Sequence, residues 1–281
     1  MINKCSTILI CLIVFAFCKS NAQPYILQSV DLAKPFRLNL YFGDQGKGAF
    51  VKYVGQTGNI ALRIKSHKRD TSGRSDGQPD DETFIWDEMI DGKVNGTYTL
   101  MHNINGVEKA SYWRKKDAKK FNLVQLEGKG TLENDRYLLH GALISFNHFD
   151  HHKLSIQYAD GKLFNTLLPA LDSPNPVRKS YIADYNFDGY DDIAFSIPDA
   201  GMGVYQEFSI FLYNQNSKRF EKLLEPDNSN AKCNCLCDVT LDPKKKLLFT
   251  ACRGGARWWQ DIYRFAPNNK LMWIRSKDLS K

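Results

Sequence analysis

Beyond about the first two dozen residues, the chain alternates apolar and polar side chains over short stretches separated by turn formers. Phe36-Arg37-Leu38-Asn39-Leu40-Tyr41-Phe42 has the period of two expected of a half-buried strand, whose successive side chains point to opposite faces. Ala49 to Val54, Ile60 to Ile64, Thr83 to Trp86, Gly96 to Met101, Phe121 to Leu126 and Tyr137 to Phe146 are further strand candidates. Asn95-Gly96 and Asn105-Gly106 are dipeptides suited to tight hairpin turns. Residues 108–120 are expected to form one short helix or an exposed loop. His67 to Asp81 is rich in Ser, Gly and Asp and is expected as an exposed loop.

The second half repeats the pattern. Lys153 to Gln157 and Lys162 to Leu168 flank Asp160-Gly161. Ile193 to Ile197 and an alternating stretch from Glu207 to Tyr213 follow. Asp238 to Leu241 and Leu247 to Ala251 flank a turn at 242–246, and Trp258 to Phe265 and Leu271 to Ile274 flank Pro267-Asn268-Asn269. Turn signals at such short intervals predict an all-β protein. The expected units are an N-terminal β-barrel or sandwich-like domain over residues 23–150 and a propeller-like β domain over 151–281, with a boundary near 147–153.

The N-terminus breaks the pattern. Lys4 precedes an apolar run from Ile8 to Phe17, too short to span a bilayer comfortably, and Ser20-Asn21-Ala22 supplies small residues for cleavage. Residues 1–22 therefore read as a signal peptide, which predicts a periplasmic or secreted protein without stable membrane insertion. Cleavage removes two lysines and no acidic residue, lowering the formal net charge from +7 to +5. The remaining cations are interleaved with acids, so no nucleic-acid partner is expected. Cys5, Cys11 and Cys18 leave with the leader; Cys233, Cys235, Cys237 and Cys252 stay. An even number in an exported chain points to disulfides, while four thiolates would also suit zinc. A hairpin turning at 242–246 sets Cys252 opposite Cys235 to Cys237, so Cys237–Cys252 is the expected bridge, with Cys235–Cys252 close behind.

Asp184-Tyr185-Asn186-Phe187-Asp188-Gly189-Tyr190-Asp191-Asp192 carries the clearest chemistry. Asp184, Asn186 and Asp188 at alternate positions, the Tyr190 carbonyl and Asp192 form an all-oxygen donor set for calcium, and Gly189 permits the sharp bend. An EF-hand would place a glutamate where this chain has Phe195, and a strand follows in place of a helix. The loop, flanked by Tyr181-Ile182-Ala183 and Ile193-Ala194-Phe195, resembles the strand–loop–strand calcium sites of FG-GAP repeats. With Gly201-Met202-Gly203, Phe208 to Asn214, Phe220-Glu221 and the hairpins from Leu247 to Trp273, residues 150–281 resemble a bacterial periplasmic family with such loops. That family includes an immunity protein against a lysozyme-like toxin of a type IV secretion system. The resemblance implies an FG-GAP-type propeller-like fold, bound calcium and a lysozyme-like enzyme as partner.

Other groupings are weaker. His148, His151 and His152 would need a loop to converge on a metal. Gly201, Gly203 and Tyr205 lie in a strand connection similar in outline to the inserting loops of lysozyme inhibitors, and Arg253, Arg257 and Trp258 have the character of interface anchors. No known catalytic motif is present; Glu82, Asp87 and Glu88 are the most suggestive carboxylates outside the acidic loop. The expected function is an exported calcium-binding protein-interaction module, an inhibitor or immunity protein for a cell-wall lytic enzyme. The alternatives are an envelope glycan-acting enzyme with an FG-GAP-like accessory domain, or a surface adhesion protein.

Overall fold

The computed structural model describes residues 24–30, 32–71, 80–103, 105–126, 134–149, 152–171, 177–199, 203–233 and 235–280. The expected signal peptide, Gly201 and His151 lie outside the described residues. Among those described, no helix is long and apolar enough to cross a membrane.

Eight antiparallel strands form a closed barrel: β1 (Tyr25–Ser29), β2 (Arg37–Tyr41), β3 (Phe50–Tyr53), β4 (Ile60–Asp70), β5 (Asp81–Ile90), β6 (Lys93–Asn103), β7 (Gly106–Arg114) and β8 (Lys119–Gln125). Each pairs with the next, and β1 returns to β8 with Leu27 opposite Gln125, so no strand edge is left open. The alternation seen in sequence turns Leu38, Leu40, Phe84, Trp86, Tyr98 and Leu100 into the interior.

The structure differs from three local expectations. Residues 108–120 are neither helix nor loop: they belong to β7, a 3-10 turn at Lys115–Asp117 and the start of β8, because Tyr112 is needed inside the barrel. Asn95-Gly96 lies within β6, and the hairpin turns instead at Asp91-Gly92, both with positive φ. The stretch from His67 is still strand as far as Asp70, held by its register with β5.

Three four-stranded antiparallel sheets follow. The first contains β9 (Asp135–Leu139), β10 (Ala142–Phe146), β11 (Lys153–Gln157) and β12 (Leu163–Leu167). The expected boundary at 147–153 falls inside this sheet, between β10 and β11. The second contains β13 (Lys179–Ala183), β14 (Asp192–Pro198), β15 (Gln206–Asn214) and β16 (Arg219–Lys222); the third contains β17 (Thr240–Asp242), β18 (Leu247–Gly254), β19 (Arg257–Phe265) and β20 (Leu271–Asp278). A barrel and three small sheets are shown; closure into a propeller is not.

The second sheet is the middle layer. Ile193, Phe195, Phe211 and Tyr213 pack against Ile144, Phe146, Leu154 and Ile156 of the first sheet. Ala194, Ile210 and Leu212 pack against Leu248 and Tyr263 of the third. Burial on both faces explains why Ile193 to Ile197 is an unbroken apolar run and why Glu207 to Tyr213 is not half exposed as alternation suggests.

The barrel meets the stack through the loop between β2 and β3. Trp86 donates its indole N–H to the Gly46 carbonyl at 2.7 Å on the barrel side. On the other side the Leu138 amide donates to the Gly48 carbonyl at 2.9 Å. At Gly48 a side chain would place Cβ 2.9 Å from Ile182 Cδ1 and 3.0 Å from Tyr137 Cβ, at a φ of +62°.

Candidate functional site

The acidic loop connects β13 to β14. Asp192 opens β14 opposite Ala183 and is fully buried. Its two carboxylate oxygens accept from the Tyr185 amide at 2.8 Å and the Tyr213 amide at 2.7 Å. The Asp184 carboxylate accepts from the Asp188 amide at 3.0 Å and the Gly189 amide at 2.9 Å. Asp188 accepts from the Tyr190 amide at 2.9 Å and from the Asn186 amide group at 2.9 Å. The sequence folds this way because short acidic side chains capture their own downstream N–H groups, and Gly189 takes the positive φ the turn requires.

Burial raises the Asp192 pKa to about 7, and the neighbouring charges of Asp188 and Asp184 push the same way, against the two N–H bonds. Two exposed-side carboxylates thus act on a buried one.

The loop touches every β unit of the molecule. Lys47, from the barrel, pairs with Asp191 at 2.6 Å. His140, in the turn of the first sheet, lies with Nε2 2.7 Å from the Asp191 carbonyl oxygen and stacks on Tyr213. From the third sheet side, Asn269 meets Asn186 at 3.2 Å and Lys246 reaches the Phe187 carbonyl at 3.4 Å.

The donors fit calcium by type: carboxylate, amide and main-chain oxygens only. Among the described residues no three His, Cys, Asp or Glu side chains are gathered as a metal-holding group. Each carboxylate oxygen engaged by one N–H retains a further lone pair, which is the capacity left for a cation.

The cysteines are arranged differently from expectation. Cys233 bridges Cys252, with Cα atoms 5.6 Å apart, and Cys235 bridges Cys237. Cys237–Cys252 does not form, because Cys237 is placed by its own ladder: its carbonyl accepts from the Ala251 amide, and it bridges Glu207. The expected partner-contact residues divide between two faces of the β18–β19 hairpin, since Cys252 with Trp259 and Arg253 with Trp258 are successive pairs along the ladder. Tyr205 packs on the cysteine cluster with Trp259. Arg253 and Arg257 are exposed at that hairpin's tip, and Gly203 lies exposed two residues before Tyr205.

The carboxylates of β5 do not form a catalytic pair. Asp87 faces Thr97, with Arg63 and Lys65 nearby. Glu82 lies towards His67 and His102 at one end of the barrel interior. Glu88 is buried at the other end, accepting from Tyr112 Oη at 2.6 Å and from Asn95. Six residues of strand separate Glu82 from Glu88, roughly 20 Å at the rise of a strand, beyond the spacing at which two carboxylates act on one glycosidic bond. Tyr53 and Tyr98 extend the Glu88 network, joined hydroxyl to hydroxyl at 2.7 Å, and burial pushes the Tyr53 pKa up to about 12. His148 pairs with Asp135 and points towards Ser180, so it is committed to the first two sheets.

Sequence reasoning missed Arg178 and Asp261. The Arg178 guanidinium is buried and donates to the carbonyls of Asn147 at 2.7 Å and Pro169 at 2.6 Å. Buried Asp261 accepts from the amides of Lys232 and Cys233 at 2.8 and 2.7 Å. Neither sits in a local motif that marks it.

No family model matches the chain, and no curated protein matches it. Among solved structures, a putative 6-phosphogluconolactonase from Bacteroides fragilis aligns over 92% of this chain and 98% of its own, at 11% identity and a TM-score of 0.28. A hypothetical selenium-binding protein from Sulfolobus tokodaii aligns over 92% of this chain and 75% of its own, at 9% identity and a TM-score of 0.34. At these scores the likeness assigns neither a fold family nor an activity.

Proposed function

We propose that this chain is an exported protein-recognition module whose four β units are fixed in relation to one another by calcium bound in the loop from Asp184 to Asp192. One observation carries the proposal: the loop that concentrates hard oxygen donors, with Asp184 and Asp188 acting on buried Asp192, is also a place where barrel and sheets meet. A divalent cation held by Asp184, Asn186, Asp188, the Tyr190 carbonyl and Asp192 would relieve the repulsion on Asp192 and hold the junction. The recognition surface is the tip of the β18–β19 hairpin with Arg253, Arg257 and Trp258, whose cations and ring suit a partner with acidic character. A lysozyme-like cell-wall lytic enzyme is the partner class that the resemblance of residues 150–281 suggests.

Calorimetric titration of the metal-free full chain with calcium tests the first part. Saturable heat is expected, abolished in Asp188→Ala. At about a hundredfold excess over the dissociation constant, linkage adds about 2.7 kcal/mol to stability, read as a raised melting temperature. A native chain that gives neither heat nor a thermal shift overturns the calcium site. Capture of a purified lytic enzyme tests the second part; it is expected to weaken in Arg253→Glu/Arg257→Glu and after chelation.

A further inference from the structure

Two disulfides share one small cluster, and their surroundings assign them different work. Cys233 and Cys252 are both buried and close a loop of nineteen positions. Cys235 and Cys237 are two positions apart, and Cys235 alone of the four cysteines is not buried. The entropy a cross-link removes from the unfolded chain grows with the logarithm of the residues enclosed, so the short bridge constrains the chain about half as much as the long one.

Hydrogen bonds also hold the native segment in place. Asp261 holds the amides of Lys232 and Cys233. The Leu236 carbonyl accepts from Phe208 at 2.8 Å, the Asp238 amide donates to Gln206 at 2.8 Å, and the Cys237 carbonyl accepts from Ala251 at 2.9 Å. These contacts hold Lys232 and Cys233 before the Cys235–Cys237 pair, and Leu236, Cys237 and Asp238 within and after it, between the second and third sheets.

We propose that Cys235–Cys237 is a redox-active disulfide that exchanges with a dithiol partner, while Cys233–Cys252 is the structural bridge. A thiolate of the dithiol attacks Sγ of Cys235, forming a mixed disulfide and expelling Cys237 as thiolate, which takes up a proton. The second thiolate of the dithiol then attacks the mixed disulfide and releases Cys235. The dithiol is oxidised by two electrons to its disulfide, and the Cys235–Cys237 bridge is reduced by the same two. Accessibility selects the sulfur attacked, and an accessible bridge is the one open to exchange. The site lies beside Tyr205 and Trp259; the exchange is independent of the recognition surface proposed above and of calcium.

The test uses the oxidised full-length chain. Graded dithiothreitol, quenching with N-ethylmaleimide and peptide mapping read which cysteines have opened. Labelling of Cys235 and Cys237 is expected at a dithiol concentration at least tenfold below that which opens Cys233–Cys252. Simultaneous opening, or earlier opening of Cys233–Cys252, overturns the assignment. Two variants separate chemistry from folding. Cys235→Ser/Cys237→Ser is expected to keep the native melting temperature within a few degrees, whereas Cys233→Ser/Cys252→Ser is expected to lower it clearly. Cys237→Ser, exposed to oxidised glutathione, is expected to form a mixed disulfide at Cys235. A collapse in stability of the first variant, or no adduct on the last, rejects a redox-active role.

Discussion

His102 shows how a single side chain acquires its properties from its neighbours. It lies at the barrel end with Tyr25, Phe42, Phe84, His67 and Glu82, and its Nε2 is buried without a hydrogen-bond partner. Burial lowers its pKa below the ordinary value, outweighing the attraction of Glu82. The imidazole is therefore neutral in the fold, while the unfolded chain takes up a proton below about pH 6.5. The stability this neutral group allows is present above that pH and lost as pH falls through it. Melting scans should show the native protein losing stability between about pH 7 and pH 5 more steeply than His102→Phe. Equal slopes would mean that another group governs the acid side. Arg178 teaches the same lesson: nothing beside it in sequence marks a cation that ends up buried between two carbonyls.

At the level of elements, alternation located six of the eight barrel strands and missed β1 and β7, and turn dipeptides were a weaker guide. Asn95-Gly96 has the composition of a hairpin turn and yet lies in β6. Gly96 is needed there for space. A Cβ would lie 2.7 Å from the Trp113 carbonyl oxygen and closer still to the Tyr112 ring, which is held in place by Glu88. Gly96→Ala should therefore cost about 1–3 kcal/mol, the range for overpacking against a neighbour that cannot yield, measured by denaturant unfolding. An unchanged midpoint would show that β7 gives way easily. The second sheet failed alternation for the opposite reason: a strand covered on both faces has no polar side to reveal its period. Likewise Tyr137 to Phe146 resolves into two strands turning at His140-Gly141, a turn whose first residue adopts a positive φ of 50° without a glycine or asparagine to announce it.

For the whole molecule, the joint between barrel and sheets rests on a glycine-bearing loop that no pairing signal marks. Gly48 combines a left-handed backbone with close approach of Ile182 and Tyr137. Gly48→Val should push the two bodies apart while leaving each core intact. Calorimetry is then expected to resolve two unfolding transitions for the variant and one cooperative transition for the native chain. A single transition in the variant would show that the acidic loop, through Lys47 and Asp191, suffices to couple them.

The amino-acid sequence by itself determined the all-β class, most of the strands, several hairpin turns and the loop where oxygen donors gather, because these depend on side-chain period and on residues only a few positions apart. Tertiary structure decided which cysteines join, which carboxylates share a site and where the acidic loop sits among four β units. Those outcomes depend on distances between residues far apart in the chain, such as Lys47 and Asp191 or Cys233 and Asp261, and such distances exist only once strand register and sheet stacking are fixed.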